Sequence, residues 1–152
     1  MNGSVVAICI SPFAGGPMQM VQEAEAIAGV GLKGDRYSTG EGSFNRGAVG
    51  RRQVTLINGL FFIGSDFDYA DSRRNIVTVG TELMWFIGKE FRIGTVLLRG
   101  LKYCDPCLRP SKISGKPNFA VAFHDRGGLV AEILEGGIIK VGSELVPPAK
   151  GY

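Results

Sequence analysis

Residues 104–107 read Cys104-Asp105-Pro106-Cys107, two thiols three positions apart. A thiolate is a nucleophile, a sulfur carrier and a soft-metal ligand, and two at this spacing can face one point in space. Arg99, Lys102 and Arg109 lie near the pair in sequence and are expected to lower a thiol pKa. Three chemistries fit. A zinc site needs four ligands, and only Cys9 and His124 remain to complete one. A thioredoxin-like dithiol needs its first cysteine at a helix N-terminus inside a βαβ unit, whereas residues 108–116, with Pro110 and Gly115, read as a loop. The third is a single thiolate bound to a soft metal centre or carrying a persulfide, with the second cysteine supporting or resolving it.

The cationic candidates fall in short clusters. In Gly34-Asp35-Arg36-Tyr37 a glycine-flanked loop displays an arginine that the neighbouring carboxylate orients, or else forms a turn with a surface ion pair. Arg73-Arg74-Asn75 and Arg51-Arg52 each precede a strand. Adjacent residues of an extended chain point to opposite faces, so at most one arginine of each pair is expected to face inward. An inward guanidinium suits a phosphate, and an outward one solubilises a sheet edge. Arg74 is expected to be an exposed pocket charge that adds little to the stability of the fold. His124-Asp125-Arg126-Gly127-Gly128 holds the sole histidine, but neighbouring side chains diverge, so Arg126 is its stronger candidate. The glycines at 40, 42 and 47 are not followed by Gly-Lys-Ser/Thr, which leaves nucleotide hydrolysis without support.

These groups need a scaffold. The 152 residues are 45% hydrophobic and 20% charged, a balance that supports one core and argues against disorder. The 23 glycines are spread along the chain, as many short strands with frequent turns would require. Val5–Ile10, Gln53–Ile57, Asn75–Val79, Phe91–Tyr103 and Leu129–Leu134 read as strands. Residues 138–146 complete a hairpin about Gly136-Gly137. Met18–Ala28 suits helix or half-exposed strand, and residues 29–50 read as a long loop. Leu60–Phe67 reads as a short helix, and Thr81–Ile87 as helical turns capped by Thr81. Trp85, Phe119, Val121 and Phe123 are assigned to the core. Residues 91–97 and 139–145 share an apolar-basic-apolar-Gly pattern that suggests two similar bends in one wall. No helix-strand alternation of the Rossmann type is present.

A net charge of +3 is small for a nucleic-acid binder. The apolar run 5–10 lacks a basic leader and stops at Pro12, and the run 56–63 is broken by Asn58 and Gly59, so neither a signal peptide nor a membrane span is expected. Three cysteines, an odd count, suit a reducing cytoplasm.

Taken in order, several segments resemble the MOSC family, named for the C-terminal domain of molybdenum-cofactor sulfurase. They are Gly31-Leu32-Lys33-Gly34-Asp35-Arg36-Tyr37, Arg52-Gln53-Val54-Thr55-Leu56-Ile57, Arg73-Arg74-Asn75-Ile76-Val77-Thr78 and Phe91-Arg92-Ile93-Gly94. The cysteine turn, Asp125-Arg126-Gly127-Gly128 and residues 136–142 complete the set. The resemblance runs over roughly residues 18–147 of one domain, 1–152. It implies a mainly-β closed barrel of the pyruvate-kinase barrel type with a few short helices. It also implies a cysteine that binds molybdenum or carries sulfur, and a basic pocket for the phosphate of the molybdenum cofactor (molybdopterin).

By position, Cys107 is similar to the family cysteine and is the expected metal ligand, with Cys104 beside it. Asp35, Arg36, Arg74, Asn75 and Arg126 are similar to residues around the pocket. Tyr37 stands where many relatives have histidine. Neither a pyridoxal-phosphate desulfurase domain nor a pyridoxal-phosphate site is expected in these 152 residues. Sulfur, cofactor or electrons would then come from a donor protein. The resemblance allows a molybdenum-dependent oxidoreductase acting on small N-hydroxylated compounds, a sulfur transferase, or a non-catalytic carrier.

Overall fold

Three neighbouring strands are apolar on both faces, and this doubling sets the architecture. The computed structural model describes residues 2–45 and 47–149. In it β1 (Gly3–Ile10), β5 (Val54–Asn58) and β6 (Ile76–Val79) lie side by side, β5 and β6 in parallel. Side chains alternate across a strand, so Ile8, Leu56 and Ile76 point into one core while Ala7, Ile57 and Val77 point into another.

The first core fills a closed barrel. Starting from β1, the circuit runs through β11 (Glu144–Val146), β7 (Glu90–Ile93), β8 (Val96–Tyr103), β9 (Leu129–Glu135), β5 and β6, and returns to β1, seven strands in all. β2 (Gln19–Val21) extends the β1 edge. A second sheet is built from β10 (Gly137–Lys140), β3 (Glu23–Ile27) and β4 (Gly31–Leu32). The second core is aromatic: Phe62, Phe67, Phe119 and Phe123 pack on the outer face of β1, β5 and β6, with Phe119 and Phe123 stacked at 4.6 Å.

Closure depends on a polar residue. Asn75 is fully buried where the parallel pair meets β1. Its Oδ1 accepts from the Thr55 backbone N–H (3.0 Å) and from Thr55 Oγ1 (3.2 Å), and its Nδ2 donates to the Cys9 carbonyl (3.1 Å). One amide thus links three strands at the point where sheet hydrogen bonding changes direction.

Of the two readings of residues 18–28, strand holds, as β2 and β3. Several expectations are corrected. Residues 29–50 contain β4 and a short helix α1 (Arg36–Thr39). Residues 109–114 are helical (α2, Arg109–Ser114), because Pro110 occupies the first turn and Gly115 ends the helix at φ +76°. Gly136 joins β9 to β10, but β10 pairs with β3 and not in a hairpin. Of the two similar segments, only 91–97 folds as a hairpin, although Gly94 and Gly142 both take positive φ. The helical turn at Leu83–Phe86 is a 3₁₀ turn capped by the Glu82 side chain and not by Thr81. Its three-residue period turns Leu83 and Phe86 inward and leaves Trp85 74% exposed. Likewise α3 (Phe119–Ala122) buries Phe119 and Phe123 at i, i+4 spacing, so Val121 faces solvent.

Replacing Asn75 with alanine leaves buried groups of β5 and β1, at Thr55 and Cys9, without this partner, at a cost on the order of 2–4 kcal/mol. Urea denaturation of Asn75→Ala is expected to show that loss. A midpoint equal to the parent's would remove Asn75 as the closing element.

Candidate functional site

Where β8 ends, the chain turns sharply and presents one thiol to each side. Cys104 is 1% exposed and Cys107 faces solvent. The turn is fixed from behind by two glycines. A Cβ on Gly127 would lie 2.1 Å from the Cys104 carbonyl oxygen, and one on Gly128, at φ +103°, would lie 2.0 Å from that of Leu56. No side chain fits in either gap, so the His124–Gly128 segment serves as a close-packed backbone support.

Arg74 fastens the turn to the barrel. Its Nε donates to the Gly127 carbonyl (2.7 Å), Nη1 to Ser72 O (3.2 Å), and Nη2 to Asp105 O (3.1 Å) and Cys104 O (3.5 Å). With these bonds and 6% exposure it is not the exposed pocket charge expected from sequence. It is a structural cross-link whose charge also reaches the site. The Cys104 thiol faces inward, where Arg52 Nη1 donates to its Sγ at 3.9 Å.

Cys107 opens onto a recess lined by five arginines: Arg36, Arg52, Arg73, Arg74 and Arg109. The enclosed space between these side chains is small, about 30 Å³, and its mouth, with Cys107, Phe44 and Arg109, is exposed. Asp35, fully buried, caps α1 by accepting from the Tyr37 N–H (3.2 Å), and its other oxygen accepts from Arg36 Nη1 (3.0 Å) and the Ser11 N–H (3.0 Å). Arg36 also donates to the Tyr37 hydroxyl and to the Arg73 carbonyl, both at 3.1 Å. The aspartate therefore orients the arginine, as the sequence suggested, inside the protein and not on its surface.

Arg73 differs from these neighbours. It sits at φ +62°, and this left-handed residue breaks the strict alternation expected of an extended pair, so Arg73 and Arg74 both line the recess. Its side chain donates from Nη1 to the Gly16 carbonyl (2.7 Å). Nη2 is buried and has no hydrogen-bond partner among the described residues. Burial, then the nearby charges of Arg36 and Arg109, hold its pKa down to about 10. It remains a cation at neutral pH. An anion bound beside Arg73 would offset the repulsion from Arg36 and Arg109.

The recess wall includes two residues that sequence reasoning did not single out, Ser43 and Phe44 from the segment after α1, and it includes Arg109, expected near the thiols, which opens α2. Asn45 carried a signal only in hindsight: a buried asparagine in a polar stretch, it donates from Nδ2 to the carbonyls of Tyr37, Ala48 and Arg52. Other expected residues lie elsewhere. Asn75 is in the barrel wall. Arg126 stacks over Phe61 (5.0 Å) in a separate groove beside Trp85. Of the basic residues near the cysteines in sequence, only Arg109 reaches the recess, while Arg99 pairs with Glu132 on the barrel surface. Cys9 lies in the barrel wall, and His124 is exposed beside Asp125. Among the described residues no three His, Cys, Asp or Glu side chains come together, and no helix is long and apolar enough to cross a membrane.

The MOSC domain model matches residues 48–146. No curated protein matches the chain. Among solved structures, the YuaD protein from Bacillus subtilis superposes with a TM-score of 0.73 at 17% identity, covering 95% of this chain and 94% of that one. YiiM from Geobacillus stearothermophilus gives 0.70 at 16% identity, covering 98% of this chain and 76% of that one. YiiM from Escherichia coli gives 0.63 at 16%, with 99% and 71% covered.

The three thiols should separate by accessibility. Cys9 is fully buried, with burial pushing its pKa up to about 11, and Cys104 is nearly as enclosed. A chromogenic disulfide reagent is expected to titrate Cys107 alone in the native protein and all three cysteines after denaturation. Equal reactivity of Cys104 and Cys107 in the native state would contradict the two-sided turn.

Proposed function

Because the chain belongs to the MOSC domain family, we propose that Cys107 is its working thiol and that the arginine recess receives the phosphate of the molybdenum cofactor. One observation carries this reading: an exposed cysteine shares its recess with a buried arginine whose Nη2 lacks a partner. The donor set suits a group that joins a soft metal to a phosphate. Cys107 would hold the metal through sulfur. Arg73, assisted by Arg109, would hold the phosphate through guanidinium donors. When bound, the cofactor supplies oxygen-atom and two-electron chemistry, for instance in the reduction of a small N-hydroxylated compound.

The protein's own groups have separable tasks. Arg74 and the Gly127-Gly128 segment keep the thiol at the rim of the recess, and Asp35 holds Arg36 in its wall. Asp105, which also lines the recess, limits the positive charge. Arg36 and Arg74 already donate to protein acceptors on most of their hydrogens, and Arg52 is turned to Cys104 Sγ and the Phe44 ring, which leaves Arg73 and Arg109 as the proposed anion contacts.

The exposure of Cys107 favours a second reading, a sulfur carrier. Its thiolate would attack the outer sulfur of a donor's persulfide, forming a persulfide on Cys107 and releasing the donor's thiolate. A donor protein would reach this sulfur, whereas Cys104 is enclosed.

Metal analysis of protein made in a cofactor-producing host separates the two readings. Near-stoichiometric molybdenum, lost in Cys107→Ser and strongly reduced in Arg73→Met, is expected for the cofactor reading. Metal-free protein that releases sulfide on reduction would favour the carrier. Metal retained unchanged in Cys107→Ser would exclude this thiol as the ligand.

A further inference from the structure

One wall of the recess is aromatic. Phe44 is 54% exposed, and one face of its ring is covered by the Arg52 guanidinium at 3.8 Å from the centroid. Half-exposed aromatic rings on loops are usually incidental, but this one is built in. Asn45, the next residue, is fully buried and ties the segment to Tyr37, Ala48 and Arg52 through three carbonyls. Ser43, the residue before, accepts from Arg109 Nη1 at 2.9 Å. Arg52 is itself fixed by its bond to Cys104 Sγ. The ring is therefore held on both sides along the chain and from beneath, and it lines the recess that Cys107 and Arg73 also line.

We propose that Phe44, backed by Arg52, is a stacking platform that selects planar conjugated ligands whose anionic group lies on Arg73. The inference rests on the anion-binding reading above and adds the class of ligand. A conjugated ring gains from stacking on the open face of Phe44, whereas a puckered saturated ring of similar size gains only apolar contact. The guanidinium beneath the phenyl ring strengthens the preference by fixing the ring in place, so little side-chain freedom is lost on binding.

The test needs neither metal nor catalysis. Alkylation of Cys107 by iodoacetamide is followed in the presence of phenyl phosphate, cyclohexyl phosphate or inorganic phosphate. Phenyl phosphate is expected to protect the thiol at a concentration about two- to tenfold lower than cyclohexyl phosphate. In Phe44→Leu, at an exposed position where folding is retained, the two organic phosphates should protect equally, and in Phe44→Trp the preference should persist. Equal protection in the parent protein, or a phenyl preference that survives Phe44→Leu, would overturn the platform while leaving the anion site intact. If no phosphate protects, the anion site falls and the platform falls with it.

Discussion

The guanidinium of Arg74 joins three loops at one point. It donates to carbonyls before β6, in the cysteine turn and in the segment preceding β9. Such a cross-link needs an arginine, because only a planar fork with five donors satisfies several carbonyls in different directions at once. Everything at the site depends on it: the outward thiol of Cys107, the inward thiol of Cys104, and the close approach of Gly127 to the Cys104 carbonyl. The barrel supplies the foundation through Asn75, directly next in sequence, which links β1, β5 and β6. Adjacent residues thus close the barrel and hold the chemistry to its end.

The same economy leaves a charge imbalance. Arg36 is neutralised by Asp35 and Arg74 by main-chain dipoles, but Arg73 lies between other guanidinium groups with a donor free. A buried unpaired donor costs free energy, and charge of one sign adds to it, which is why the Arg73 pKa falls. Such a cost in a recess with an exposed thiol is better understood as preparation for an anion than as a packing flaw. The relatives of known structure share the barrel at low identity, so the argument for chemistry rests on these side chains and not on the fold.

Much of this was legible in the sequence. β-branched runs marked β1, β5 and β6, the glycine supply pointed to a turn-rich barrel, and the ordered motifs named the family. The Asp35–Arg36 pairing followed from adjacency alone. What stayed hidden depended on local period and backbone handedness. Alternation sent only one of Arg73 and Arg74 inward, and a single left-handed residue brought in both. Trp85 and Val121 looked like core because apolar type was visible and the turn period was not. Pro110 read as a loop signal although it opens a helix. The segment bearing Ser43, Phe44 and Asn45 has no period, and its contribution appears only once Arg52 and Arg109 are seen to meet it.

The central claim is that the free donor of Arg73 and the sulfur of Cys107 share one anion-receiving recess. Crystals soaked in tungstate, a tetrahedral oxyanion that scatters anomalously, test this directly. The expected result is an anomalous peak in hydrogen-bonding range of Arg73 Nη2, in the recess onto which Cys107 opens. A recess without that peak, with Arg73 Nη2 paired to a protein acceptor instead, would contradict it.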